Sequence, residues 1–382
     1  MREPVELRRQ RIQAVVESRG AVKVSALAAE LDVSVVTVRR DVEELARAGR
    51  LRRGHGVARP LRDPAGPMAV PAPRGSDPGG EGGAVALVVP ERHSYLYETL
   101  HGARTVLEEA GIRIALYLAP QSADAERPLV ERALAEGARG LLIAPRWRSA
   151  LIEEDYGWLA DVGVPTVLME RRPRPGGPLH ALDSVCSDHW YGIHLAVEHL
   201  VSLGHRRIVL AARDDSPTAR AVRAAFASVA AARPEVEDWT VVLSSPAAVP
   251  GTSESGHASA GAPRGEGVPL DLAALLRERG ATAAVLHGDV DALMLVQRLA
   301  ESGVQVPRDC SVVAYDDVVA ALGSTPLTAV APPKTDVGRA AAELLLHRLS
   351  AAPGAAGPAR RTELLPALEV RGSAQAVASF QD

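Results

Sequence analysis

From Val85 onward the chain alternates two patterns, and this alternation restricts its fold more than any other feature. Apolar runs at Val85-Ala86-Leu87-Val88-Val89, Ile112 to Tyr117, Gly140 to Ala144 and Pro165 to Met169 are separated by helical spacings at Leu96 to Ala110, Leu129 to Glu136 and Ser149 to Asp161. A strand buried on both faces reads as a continuous apolar run, and its parallel neighbour is reached only through a crossover helix. The alternation therefore predicts an α/β fold with doubly wound parallel sheets. A second series starts near residue 183, with strands at Ile208 to Ala212, Thr240 to Leu243, Ala283 to Leu286 and Ser311 to Tyr315. Helical stretches at Trp190 to Leu203, Ala219 to Ala231, Leu270 to Arg279 and Val290 to Ser302 lie between them, and Ser244 to Gly267 is a Gly/Ser/Ala/Pro-rich insertion expected to be disordered. Ligands in such sheets sit beyond the carboxyl ends of strands, where Glu170, Asp289 and Asp316 fall.

Ahead of the alternation the pattern is different. Residues 59–83 hold prolines at 60, 64, 67, 71, 73 and 78 and lack periodicity, which predicts a linker. Upstream, Leu7 to Ser18 and Ser25 to Leu31 have helical spacing around the short extended piece Val22-Lys23-Val24. After the turn Asp32-Val33, Ser34 is a good helix N-cap, and Val35, Val38, Val42 and Leu45 recur at spacings of three and four. Arg50 to Val57 reads as a hairpin with a glycine-bearing tip. Three helices and a basic hairpin make a winged helix-turn-helix.

Charge separates the two parts. The whole chain carries a net −4, yet residues 1–62 hold 14 Lys and Arg against 8 Asp and Glu, a balance of +6 that leaves the remainder at −10. A basic head on an acidic body suits one domain that meets phosphate and another that does not. Cys186 and Cys310 lie far apart with no metal-ligand spacing, so no disulfide framework is expected. His194 and His199 are five apart and do not share a helix face as an i, i+4 zinc pair does. No secretion signal, membrane-length apolar run, phosphate-binding glycine loop or catalytic triad is read, so the expectation is a cytoplasmic protein without cofactor, metal or enzymatic activity.

Two resemblances are carried by particular residues. Val33-Ser34-x-x-Thr37-Val38-Arg39-Arg40-Asp41-Val42-x-x-Leu45, followed by Gly49-Arg50-Leu51-x-Arg53-Gly54-His55-Gly56, resembles the DNA-binding domain of DeoR-type bacterial regulators. His55-Gly56-Val57-Ala58 departs from that family's His-Gly-Gly-Ala by one glycine. Residues 84–373 are similar to the effector-binding domain of LacI/GalR regulators, a two-lobed, periplasmic-binding-protein-like type I sensor. The matching residues include Gly163-Val164-Pro165 before Glu170, Asp188 with Gly192, Leu203-Gly204-His205-Arg206-Arg207-Ile208, Tyr315-Asp316-Asp317, Gly338 and Leu365-Pro366-x-Leu368-x-Val370-Arg371.

The resemblances imply roles. In the head, Ser34, Val35, Thr37, Arg39 and Arg40 are expected to meet DNA, with Arg52, Arg53 and His55 of the wing against phosphate or the minor groove. Asp41 is expected to orient an arginine or to cap locally. In the sensor, Asp316 falls where an acid binds effector hydroxyls, and Glu170 where another acid commonly lies. Tyr95 either stacks on a ligand ring or covers the sheet. The family's Asn-Asp is Gly288-Asp289 here, its effector-binding arginine falls on Val222 with Arg220 and Arg223 close by, and Pro332 takes a usually polar position.

The expectation is a DNA-binding transcriptional regulator, a repressor rather than an activator, controlled by a sugar-like effector and acting as a homodimer on operator DNA with no membrane partner. Its domains are 1–58 (head), 59–83 (linker), 84–373 (sensor) and 374–382 (tail). Within the sensor, lobe 1 takes about 84–182 and a segment near 330–349, and lobe 2 takes 183–329 and the last strand. The alternatives are a DNA-binding regulator with a degenerate pocket, a solute-binding protein, which has no use for residues 1–58, and an enzyme of sugar metabolism. The Pro/Gly linker also stands where LacI-type sensors carry a short hinge helix.

Overall fold

The computed structural model describes residues 8, 9, 12, 15, 16, 22–24, 27, 28, 33–47, 51–54, 57–60, 83–91, 94–120, 122, 124–146, 150–213, 216–244, 270–352 and 357–377. The chain divides into two units, Met1–Gly80 and Glu81–Asp382.

In the first unit, residues 8, 9, 12, 15 and 16 are helical, as are 24, 27 and 28. Between them lies β1 (Val22–Lys23), and α1 (Val35–Arg47), β2 (Leu51–Gly54) and β3 (Val57–Pro60) follow. The strands form an antiparallel sheet in the order β1-β3-β2, with Gly54 opposite Val57 across the wing hairpin. Val38, Val42 and Leu45 bury the apolar stripe of α1 against Ile12, Val16, Leu27 and Leu51. Each such side chain contributes roughly 1.5–3 kcal/mol on burial. The hairpin extends to Pro60, beyond the expected boundary at 58, and the wing tip lies outside the described residues.

The second unit has two lobes. Lobe 1 is built from β4 (Val85–Pro90), α2 (Ser94–Glu109), β5 (Ile114–Ala119), α3 (Glu126–Ala135), β6 (Gly140–Ile143), a 3-10 segment Ala150–Asp161, β7 (Thr166–Met169) and β8 (Asp183–Ser187). Lobe 2 takes α4 (His189–Ser202), β9 (Arg207–Ala212), α5 (Pro217–Ala231), β10 (Asp238–Leu243), α6 (Leu272–Arg279), β11 (Ala283–His287), α7 (Asp289–Glu301), β12 (Ser311–Tyr315), a 3-10 turn Ala320–Leu322 and β13 (Thr328–Ala331). The chain then returns to lobe 1 for α8 (Lys334–Ser350) and β14 (Arg361–Leu364), and ends with β15 (Ala367–Glu369) in lobe 2.

The lobe 1 sheet runs β14-β8-β7-β6-β4-β5, all parallel, and the lobe 2 sheet β10-β9-β11-β12-β13-β15, parallel except for β15. Apolar clusters cover both faces of each sheet, which is why the strands read as unbroken apolar runs. The chain crosses between lobes at Asp188, at Pro332-Pro333 and at Leu365-Pro366. Asp188 also caps α4, accepting from the Tyr191 amide at 2.9 Å.

Three expected boundaries shift. Residues 183–187 form a lobe 1 strand, because β8 pairs with β7 and β14; Asp183-Ser184-Val185-Cys186-Ser187 is too polar for its own pattern to reveal those partners. The return segment begins at Lys334, since β13 stays in lobe 2, and it includes β14. The first residues of the expected tail are held on lobe 2 by Gln375 N–H to Ser311 Oγ at 3.0 Å and Val377 N–H to the Leu203 carbonyl at 2.9 Å. The expected insertion at 244–267 falls, after Ser244, outside the described residues.

Helices α2 and α8 touch backbone to backbone. A Cβ on Gly102 would lie 2.0 Å from the Thr335 carbonyl oxygen, and one on Gly338 1.8 Å from that of Thr99. Only glycine permits this approach.

Candidate functional site

In the head, Ser34 Oγ accepts from the Thr37 amide at 3.1 Å and lies 2.8 Å from Thr37 Oγ1, so the cap predicted from sequence forms and holds both hydroxyls at the start of α1. Arg39 and Arg40 are exposed, and Thr37 is half-buried. Val36, which sequence reasoning passed over, is 73% exposed on the same side. Asp41 is buried and accepts from Arg8 Nε at 2.7 Å and Arg9 Nε at 3.1 Å, clamping the first helix to α1. Its negative charge is thereby kept off the exposed face. The side chains of Val35, Arg52 and Arg53 and the whole of His55 lie outside the described residues.

In the sensor, acids with left-handed backbones stand at strand ends of both lobes. Glu170 follows β7 with φ 52°, and Asp316 and Asp317 follow β12 with φ 98° and 49°. Such conformations are costly away from glycine and concentrate at functional sites. Glu170 is buried; its Oε1 accepts from the Tyr95 hydroxyl at 2.7 Å and the Ser187 hydroxyl at 3.0 Å, and its Oε2 from the Ser187 amide at 3.2 Å. Tyr95 therefore belongs to the carboxylate network. Burial, followed by the Glu170 and Asp316 charges, pushes its phenol well above the usual range. The buried Lys334 ammonium lies 5.6 Å from the centre of the Tyr95 ring.

Asp316 has its Oδ1 sealed from water with no hydrogen-bond partner. Desolvation, then the nearby Asp289 charge, pushes its carboxyl up to about 7, against the opposing pull of His189 and Lys334. Burial holds the His189 imidazole below its ordinary value, and its Nδ1 lies 3.1 Å from the Tyr315 hydroxyl. Arg371 grips Asp317 at 2.7 and 2.9 Å.

Two expected contacts are corrected. Asp289 points one carboxylate oxygen, Oδ2, at the amides of Val318, Val319 and Ala320, so it anchors the loop after Asp316 instead of offering that oxygen to a ligand. Arg220, and not Arg223, lines the interlobe cavity. Val222, at the position of the family's arginine, is fully buried in the lobe 2 core, which excludes it from ligand contact.

That cavity, of about 390 Å³, opens between the lobes. Lobe 1 contributes Glu170, Ser187, Arg172 and Glu363, and lobe 2 contributes His189, Trp190, Arg220 and the small residues Ala221 and Ala224 of α5. Arg172 and Glu363 pair at 3.1 Å. Acids, arginines and an indole on opposed walls can bind hydroxyls and cover a ring face. Glu170 joins the cavity to the Tyr95–Asp316 side, and Tyr95, Asp316 and Asp289 do not line it. Ser187 ends β8, and His189 and Trp190 open α4 just after it; they were missed because β8 was not assigned to lobe 1, where its carboxyl end meets the cavity. A surface hollow of about 530 Å³ near Arg174 and His180 involves lobe 1 alone, and Arg174 there is already paired with Glu153 and Glu154. Among the described residues no three His, Cys, Asp or Glu are grouped to hold a metal ion, and no helix is long and apolar enough to cross a membrane.

Residues 8–62 match the DeoR-like helix-turn-helix domain, and residues 197–374 match the periplasmic binding protein-like domain. An uncharacterized HTH-type transcriptional regulator in the aml 5' region of Streptomyces limosus is 30% identical over 306 residues, 76% of this chain and 78% of that protein. The chain belongs to the HTH-type transcriptional regulators. An arabinose metabolism transcriptional repressor of Halalkalibacterium halodurans is 24% identical over 329 residues, 83% of this chain and 80% of that one. Two solved LacI-type structures share the fold. The lac repressor dimer bound to operator and the anti-inducer ONPF superposes with a TM-score of 0.61 at 22% identity, covering 78% of this chain and 96% of that one. A ribose-bound LacI family regulator from Enterococcus faecium gives 0.57 at 23%, covering 77% and 100%. This HTH-type regulator joins a DeoR-like head to a domain that shares the fold of LacI-type structures.

Proposed function

We propose that the chain represses transcription by binding operator DNA as a homodimer, and that a sugar-like effector in the interlobe cavity controls it. Residues 1–60 act as the reading head, 61–83 as linker and 84–377 as sensor. Ser34, Val35, Thr37, Arg39 and Arg40 meet the operator, supported by Arg52, Arg53 and His55 of the wing. Glu170, Arg220 and Trp190 hold the effector, and Tyr95 and Asp316 complete the site when the lobes close.

One observation carries this reading: Glu170 on one lobe and Arg220 on the other line a single cavity. A ligand bridging them has different affinities for the open and closed lobes, and that difference is what shifts a conformational equilibrium. The arabinose repressor and the ribose-bound regulator agree with a sugar. Footprinting the purified full chain on DNA upstream of its own gene and neighbouring genes, with and without pentoses, hexoses and disaccharides, tests it. A protected site that a sugar releases is the expected outcome, and salt-insensitive binding contradicts it.

A second reading keeps DNA binding and drops effector control. It is favoured by the Glu170 carboxylate, which is already engaged by Tyr95 and Ser187 within the chain. Thermal-shift screening of sugars and nucleosides separates the two, because a saturable stabilisation excludes a degenerate pocket.

A further inference from the structure

Val36 is the second residue of α1 and leaves 73% of its surface in water. Its neighbours behave differently. Val38, Val42 and Leu45 form the head core and Val33 packs against it, whereas Val36 has no place in that cluster. Folding gives no reason for a valine at this position, because a β-branched residue is a poorer helix former than the Glu, Lys, Arg or Ala found elsewhere on exposed helix faces. A lone exposed valine on a protein surface is ordinary. This one shares its stripe with other groups.

Val36, Arg39 and Arg40 stand at i, i+3 and i+4, so they project from one face, opposite the buried stripe. Buried Asp41 is neutralised by Arg8 and Arg9, and the acid that does share this stripe, Glu43, lies a turn farther along and is half-buried. The exposed start of α1 therefore combines two guanidinium groups with one branched apolar side chain. In the major groove, arginine pairs with guanine or phosphate, and thymine alone among the bases presents a methyl group.

We propose that Val36 is a specificity-determining residue that covers the 5-methyl group of a thymine in the operator, beside bases or phosphates held by Arg39 and Arg40. This rests on the reading of the head as the operator-binding domain. The apolar surface of Val36 is then left in water only until the operator is bound.

The test uses the full-length protein and an operator selected by it from a random duplex library. Each thymine of that operator is replaced in turn by deoxyuridine, which removes the methyl group and keeps every hydrogen-bonding group. Affinities are measured for the unmodified protein and for Val36→Ser, with a thermal melt to check that the exposed substitution leaves the fold intact. One or more thymines should lose about 3- to 5-fold in affinity on replacement, the effect of one buried methyl. The same replacements should be silent in Val36→Ser, which makes the two changes non-additive. The proposal is overturned if no thymine responds in the unmodified protein, if the loss persists undiminished in Val36→Ser, or if the contacted half-site holds no thymine. Failure to select any operator overturns the DNA-binding reading itself, a distinguishable result.

Discussion

Arg348 on α8 closes on Asp183 of β8 through two parallel hydrogen bonds, Nε to Oδ2 at 2.5 Å and Nη2 to Oδ1 at 2.7 Å, with both side chains buried. The Arg360 amide adds a third contact to the same carboxylate at 2.6 Å. Three segments distant in sequence meet at one acid. Removing that acid leaves the guanidinium with the Gly357 and Pro358 carbonyls and the Arg360 amide without its acceptor, so Asp183→Ala should destabilise lobe 1 by about 2 kcal/mol. Urea denaturation of the two proteins measures it, and a change below about 1 kcal/mol would show that the pair contributes little.

Exposed arginines on α1 should act through the counterion atmosphere of DNA. Arg39→Ala and Arg40→Ala should each weaken binding and flatten the plot of log affinity against log salt by about 0.9 wherever the lost contact is a phosphate. A variant with an unchanged slope but relaxed preference at one base would instead assign that arginine to guanine.

The Asp316 carboxyl titrates at about 7 in the folded protein, against an ordinary 3.8. A raised folded value means that the native state holds a proton which the unfolded chain releases. The associated stability is complete below about 4 and is lost as pH rises toward 7. Asp316→Asn should remove that dependence, so the difference in melting temperature between the two proteins should change across pH 4–7 and level off above it. Effector binding has the opposite sign. Ionised Asp316 is the better acceptor for a hydroxyl, so sugar affinity should rise from pH 6 to pH 8 and become flat in Asp316→Asn.

Across the cavity from Glu170, Arg220 and Trp190 belong to lobe 2. Arg220→Ala and Trp190→Ala should each lower sugar affinity by about 10-fold or more, as expected for losing a charged hydrogen bond or a ring-covering surface, while operator affinity without sugar stays unchanged. Calorimetry and a gel shift check the two halves separately. Arg223→Ala, off the cavity, serves as the control and should leave sugar binding intact.

Much of this was legible in the sequence. Continuous apolar runs declared the buried strands, and the Ser34 cap with the Val38-Val42-Leu45 stripe declared α1. The positions of Glu170 and Asp316 at strand ends were legible because the apolar runs mark where strands stop. What escaped depended on pairing between distant segments. β8 is five residues with three polar side chains, and only its neighbours β7 and β14 assign it to lobe 1. Ser187, His189 and Trp190 escaped with it. Asp289 was placed near the right strand end with the wrong task, since a carboxylate that accepts three backbone amides looks the same in sequence as one awaiting a ligand. Lys334 begins a helix after two prolines, and nothing local predicts that its ammonium is buried beside Tyr95.

The glycines at 102 and 338 have a mechanical consequence. With no side chains between them, α2 and α8 meet without slack, because there is no rotamer there to absorb a displacement. Tyr95 rides near the start of α2, and Lys334 begins α8 directly after the Pro332-Pro333 crossing. Tyr95 and Lys334 are thereby carried on one close-packed helix pair, and their spacing is set by that backbone contact.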